Sequence, residues 1–190
     1  MPAPFFSLSR GVARCLALAA VCAAAGCASG PQPMPPSDTL ADARSAVQIP
    51  AAEAARIVRA TRRHAQRVAL AWPADGPVVE RFQPGRNRGI RIAAGAGGAV
   101  RAAADGRVMY AGTGLNDYGS LVIVQHNADF LTAYARSSRL LVKTGDIVRQ
   151  GEPIAEAGGG SLGGAGAVMF EVRRDGKPVD PAGYLPVRQG

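Results

Sequence analysis

Cysteine is scarce and misplaced for any structural use: the chain has three, and all fall within the first 27 residues. Once a leader ending at Gly26 is removed, Cys27 has no thiol partner within the chain, which excludes an intramolecular disulfide. Histidine is scarcer still, with only His64 and His126, so a His- or Cys-rich metal cluster cannot be assembled from this composition. Aromatic residues make up 5% of the chain and do not alternate with the basic ones, which argues against a single-stranded nucleic-acid platform. Export would also remove the chain from nucleic acid. The longest apolar run, from Cys15 to Ala25, is too short for a membrane-spanning helix.

That run has a different use. Arg10 and Arg14 precede it, giving the charged and apolar regions of a secretion signal over residues 1–26. The Ala24-Ala25-Gly26-Cys27 stretch resembles the lipobox of bacterial lipoproteins, in which Cys27 is the lipidation site. Several acyl chains on one cysteine give a stable anchor where a single chain gives a marginal one. Ala28 in place of aspartate resembles the signal for transfer to the outer membrane, so the expected location is lipid-anchored at the outer membrane and facing the periplasm. Loss of Arg10 and Arg14 takes 22 Lys+Arg to 20 against 14 Asp+Glu. The mature chain therefore stays basic by six, enough to attract anionic wall or lipid.

Residues 27–50 are rich in Pro, Ser, Ala and Gly without apolar periodicity, the composition of a tether. Residues 51–71 are alanine-rich, free of internal Gly and Pro, and opened by Pro50, which predicts a basic helix. Arg56, Arg59, Arg63 and Arg67 recur at spacings that share one helical face. That face is either a solvated surface, or a contact with anionic headgroups or with the domain that follows.

From Trp72 onward the pattern changes to short β-branched stretches separated by glycine turns. The expected strands are 78–82, 89–93, 108–112, 121–126, 131–136, 153–157 and 168–173. The uninterrupted Val122-Ile123-Val124 run predicts a strand buried on both faces. Asp175-Gly176 predicts a tight hairpin turn. Residues 158–166 are too glycine-rich for regular structure and predict a loop. About 115 residues suit one small domain with a single core.

The ordered pieces Gly89-Ile90-Arg91-Ile92, Ala104-Asp105-Gly106-Arg107-Val108 and Tyr118 to Val124 are followed by Gln125-His126-Asn127 and Thr132-Ala133-Tyr134-Ala135-Arg136. Gly145 to Gly151 and Val168 to Pro181 complete the series. Together, residues 72–190 resemble the LytM domain of the lysostaphin-like zinc metallopeptidase family, and most closely its degenerate branch, the NlpD/EnvC-type activators of cell-wall amidases. The resemblance implies a mainly β fold, a two-layer antiparallel domain preceded by one isolated N-terminal helix.

Active members of that family carry His-x-x-x-Asp, Tyr-x-His and His-x-His-Phe-Glu. These fall here on Asn87 and Arg91, on Tyr134 and Arg136, and on Ala167 and Met169 before Phe170 and Glu171. Every ligand or catalytic imidazole position is changed. Alanine has no donor, a thioether is too soft for Zn²⁺, an amide is a poor substitute for imidazole, and guanidinium repels a dication. The implied protein is therefore not an enzyme and takes no cofactor.

On this resemblance Asn87, Arg91, Tyr134, Arg136, Met169 and Glu171 line a groove that binds a partner. The implied function is non-catalytic activation of a periplasmic N-acetylmuramoyl-L-alanine amidase in peptidoglycan remodelling and daughter-cell separation. The alternative is a non-catalytic peptidoglycan-binding or envelope-scaffolding lipoprotein. A third, weaker resemblance of the 105–108 and 145–151 pieces to biotinyl/lipoyl-like hairpins lacks the hairpin-tip lysine that pattern requires.

Overall fold

The computed structural model describes residues 48–64, 68–115, 118–159 and 166–188. The leader, Cys27, the tether as far as residue 47, Arg67 and most of the glycine-rich loop lie outside the described residues.

Among the described residues one helix, α1 (Ala51–Thr61), precedes the sheets. Pro50 stands at its N-cap, Glu53 in its first turn and Arg59 in its last, the charge order that a helix dipole favours. The helix expected over 51–71 therefore ends ten residues early. Residues 68–71 run extended instead: Leu70 is buried in the core, Ala71 N–H donates to the Ala103 carbonyl at 2.7 Å, and Gln150 Nε2 donates to the Ala69 carbonyl at 3.0 Å. Core burial and these backbone bonds outweigh a helix propensity worth only tenths of a kcal/mol per residue.

Of the described residues of the expected arginine stripe, Arg56 and Arg59 lie on the helix. Arg63 is in the turn that follows, where its carbonyl accepts from Ala128 N–H at 2.9 Å. Nor does α1 stand apart. Ile57 is buried, and Arg149 pairs with Glu53 through both Nε and Nη2.

Eleven strands follow: β1 (Val78–Glu80), β2 (Ile90–Ala93), β3 (Ala99–Arg101), β4 (Gly106–Gly112), β5 (Leu121–Gln125), β6 (Phe130–Ala135), β7 (Ser137–Leu140), β8 (Ile147–Val148), β9 (Pro153–Ala157), β10 (Ala167–Arg174) and β11 (Lys177–Val179). They form two antiparallel sheets. The main sheet runs β1-β2-β10-β6-β5-β4-β8, with β11 paired to β10, and the smaller one runs β3-β9-β7. The turn between β10 and β11 is Asp175-Gly176, both at positive φ (50° and 75°), the backbone that an Asp-Gly hairpin adopts.

Alternation assigns the faces of the main sheet. Ile90, Ile92, Val108, Val122, Val124, Tyr134, Val168, Phe170 and Val172 point inward and share one core with Val100, Ile154, Ala155 and Ala157 of the smaller sheet. Burying each of the larger side chains contributes about 1.5–3 kcal/mol. On the outer face a second, smaller apolar cluster gathers Leu121, Ala133 and Ala135, flanked by Tyr110, Tyr118, Ile123 and Met169. β5 is thus packed on both sides.

A polar chain crosses the core beneath β5 and β6. Ala103 N–H donates to Tyr134 Oη at 2.7 Å, Tyr134 Oη and Thr132 Oγ1 lie 2.8 Å apart, Thr132 Oγ1 and His126 Nε2 lie 2.8 Å apart, and His126 Nδ1 lies 2.8 Å from the Asp105 carbonyl. A carbonyl only accepts, so Nδ1 carries the imidazole proton. Burial holds His126 neutral, its pKa lowered from 6.5 to about 4, so Nε2 accepts from Thr132, which in turn accepts from Tyr134. The side-chain polar atoms of Tyr134, Thr132 and His126 are then all paired.

The two ends of the described domain meet. Trp72 Nε1 donates to the Pro186 carbonyl at 2.9 Å. The Arg188 guanidinium lies 3.8 Å from the centre of the Trp72 ring and donates to the carbonyls of Ala74 and Gly76.

Candidate functional site

The outer face of the main sheet brings together most of the positions singled out from the sequence. Register places Glu80, Arg91, Met169, Ala135 and Leu121 side by side across β1, β2, β10, β6 and β5. The next outward row is Glu171, Ala133, Ile123 and Tyr110. The result is an apolar floor with Arg91 and Glu80 along one side. β2 approaches β10 closely because Gly89 precedes it: a Cβ there would lie 2.1 Å from the Phe170 carbonyl oxygen.

Asn87 and Arg91 are organised by Glu80, a residue absent from the sequence-derived set. Asn87 Nδ2 donates to Glu80 Oε1 at 3.0 Å and to the Arg81 carbonyl at 2.9 Å, while Asn87 Oδ1 accepts from Gln83 N–H at 2.8 Å. Arg91 Nη1 lies 3.4 Å from Glu80 Oε2, and the buried Nε of Arg91 has no acceptor among the described residues. The Asn87 bond, together with the Arg91 and Arg136 charges, holds the Glu80 carboxyl below the usual range despite partial burial. Glu80 therefore supplies the counter-charge that two facing guanidiniums require.

Arg136 is exposed and has a φ of 66°, a left-handed backbone that few non-glycine residues adopt. It links the end of β6 to the start of β7 and so carries the chain from one sheet to the other. Its N–H donates to the Tyr118 carbonyl at 3.1 Å, and its carbonyl accepts from Gly158 N–H at 3.0 Å.

Tyr134 is not in the groove. It is fully buried on the inner face, packs against Phe170 at 5.4 Å between ring centres, and belongs to the polar chain with Thr132 and His126. Burial pushes its phenol up to about 12. Strand alternation sends it away from Ala133 and Ala135, which do face the groove.

Glu171 is on the groove side but only 1% exposed. Tyr118 Oη donates to it at 3.2 Å, and Arg173 Nε lies 3.4 Å away. Burial raises its pKa. Arg88 Nη1 donates to Tyr118 Oη at 2.9 Å with its guanidinium 5.3 Å from the centre of that ring. Glu80, Tyr118, Arg88 and Arg173 were missed because they lie outside the motif positions. The β10 register would have found Arg173, two residues from Glu171.

α1 does not cover this face. It packs against β4 and β8, at the opposite end of the strand order from β1 and β2.

The arrangement does not fit a catalytic zinc. The positions that would supply ligands hold an amide, two guanidiniums, a thioether and a methyl group, and the carboxylates on this face are already engaged, Glu80 by Asn87 and Arg91 and Glu171 by Tyr118 and Arg173.

Fold and residue pattern define the class, and direct comparison agrees: residues 85–181 match the model of peptidase family M23, and the chain belongs to that family. It is 48% identical over 120 residues to a lipoprotein NlpD/LppB homolog of Pseudomonas aeruginosa, covering 62% of this chain and 40% of that one. It is 46% identical over 120 residues to the murein hydrolase activator NlpD of Escherichia coli, covering 62% and 31%. It spans less than half the length of these relatives. A zinc-containing peptidase from Vibrio cholerae superposes with a TM-score of 0.53 at 29% identity, over 60% of this chain and 39% of that one.

Proposed function

We propose that this chain is a non-catalytic activator of a cell-wall N-acetylmuramoyl-L-alanine amidase, anchored through lipid on Cys27 to the outer membrane and facing the periplasm. The observation that carries the reading is the substitution of the metal-ligand positions by Asn87, Arg91, Arg136, Ala167 and Met169 on a retained M23 scaffold. At the positions where family members hold a dication, guanidiniums stand beside an apolar floor. A segment of a protein partner that carries apolar and acidic side chains complements that surface. Relatives named as murein hydrolase activators and as lipoproteins support both the role and the anchor.

Activation requires that the groove prefer one state of the amidase, since equal affinity for both shifts nothing. Drawing an inhibitory segment of the amidase into the groove would meet that condition. Dye release from stained sacculi, with a purified amidase alone and with this protein added, tests the role. The expected result is release that needs both proteins and is lost when Arg91 and Arg136 are both changed to Glu in a chain that still folds. Release by this protein alone, together with stoichiometric zinc, would overturn it.

The basic balance of the mature chain favours one second reading, direct retention on anionic peptidoglycan. Co-sedimentation with sacculi in the absence of any amidase separates the two.

A further inference from the structure

Glu80 stands where the site least obviously needs it. It lies outside residues 85–181 that carry the family pattern, on the edge strand β1, yet its carboxylate reaches across to Asn87 and Arg91. We propose that Glu80 is a resident carboxylate that fills the arginine site in the free protein and is exchanged for a carboxylate of an acidic segment of the protein partner. The proposal rests on the activator reading above and names the group with which the partner competes.

Three features make the exchange possible. The contact to Arg91 is a single long one, at 3.4 Å, where a two-point guanidinium–carboxylate pair closes to about 2.7–2.9 Å. Both partners are about two-fifths exposed, 39% for Arg91 and 41% for Glu80, so the pair is weak and reachable from solvent. Arg91 Nε is buried and finds no acceptor among the described residues, so a carboxylate that engaged Nε and Nη together would satisfy a donor that Glu80 leaves empty. Asn87 would keep its place during the exchange, because the Arg81 carbonyl and Gln83 N–H hold its side chain independently of Glu80. Arg136, whose charge also acts on Glu80, would turn to the incoming group.

The residue thereby sets a threshold. A ligand without a carboxylate must leave the Glu80 contact in place, and a ligand with one must outbid it. This makes the groove selective for acidic segments instead of apolar ones in general.

The test uses the full chain in detergent micelles and its Glu80→Gln variant, whose amide oxygen can still accept from Asn87, with Glu80→Ala as a second variant. Glutarate is the carboxylate probe, read from the Nε–Hε NMR signals of Arg91 and Arg136, with chloride at equal ionic strength as control. The expected result is half-saturation at roughly two- to fivefold lower glutarate in both variants, as removal of a weak competing pair implies. Unchanged or weaker binding in folded Glu80→Gln would overturn the proposal and make Glu80 a clamp for the 80–87 turn. In the dye-release assay, Glu80→Gln should reach half-maximal activation at a correspondingly lower concentration. Tighter binding to sacculi with no change toward the amidase would overturn the choice of partner. If the wild-type protein activates no amidase, the activator reading fails, and the glutarate titration still decides whether Glu80 occupies the site.

Discussion

Tyr134 and Arg136 are two positions apart, and a regular strand would send both to the same face. Instead the first is sealed in the core and the second is exposed, because the strand stops at Ala135 and Arg136 takes a φ of 66°. One residue in the left-handed region is where the chain leaves the main sheet for the smaller one.

Replacing Arg136 with glycine should therefore separate charge from fold. Glycine adopts this backbone without the penalty that a Cβ brings, so stability should stay within about 1 kcal/mol of wild type and on the stable side. Urea unfolding checks that part. In dye release the same variant should need more protein for half-maximal activation. Normal activation would remove Arg136 from the partner surface.

Acidification should destabilise the domain through His126. Its folded pKa, about 4, lies below the ordinary 6.5. Above pH 6.5 neither state is protonated and the stability is whole. As pH falls from 6.5 toward 4 the unfolded chain takes up a proton that the folded one refuses, a loss of about 3 kcal/mol by pH 4. Between pH 6.5 and 5 this precedes the loss expected from Glu53 and Glu80, whose folded pKa values are lowered and whose contributions vanish only in stronger acid. Glu171, with its raised pKa, acts in the opposite sense. Urea midpoints at pH 7, 6 and 5 for wild type and His126→Gln should show a slope in the first that is flattened in the second.

Tyr134→Phe should cost about 1–3 kcal/mol, because it strands the buried Ala103 N–H and breaks the chain to Thr132. Activation per folded molecule should be unchanged. A variant with normal stability and impaired activation would mean that Tyr134 serves the partner after all.

Ile57→Ala should loosen α1 from the β4 and β8 edge while leaving the sheets intact, since Ile57 is the buried apolar side chain of that helix. Hydrogen exchange is the appropriate measurement. Protection over 51–61 should fall by at least tenfold with little change in β5, β6 and β10, the central strands of the main sheet. Equal loss in both regions would show that α1 folds as part of the core.

Much of this was legible in the chain itself. The strands that stand out as short apolar stretches between turns, such as 121–126 against Leu121–Gln125 and 153–157 against Pro153–Ala157, follow from pattern alone. So does the Asp175-Gly176 turn. β3 and β7 did not, because Ala-Val-Arg is too short to show a period and Ser-Ser-Arg-Leu has almost no apolar face. Their pairing with β9 is a long-range event. The helix was overextended for a related reason: local preference favours it past Thr61, while at 68–71 the distant carbonyl of Ala103, the side chain of Gln150 and the core around Leu70 hold the chain in another path. Motif spacing picked out Arg91, Met169 and Glu171, which share one face of the main sheet, and Asn87, which is bonded to Glu80 beside them. It could not reveal Glu80, which enters from a neighbouring strand, or that Tyr134 points the other way.

The contact of Arg188 with Trp72 and with the carbonyls of Ala74 and Gly76 has a mechanical consequence. A pull arriving from the amino-terminal side must shear that stacked pair before it can peel the strands apart one by one. Strain imposed on the segment entering at Trp72 is thereby shared with residues 186–188 instead of falling on the first strand alone.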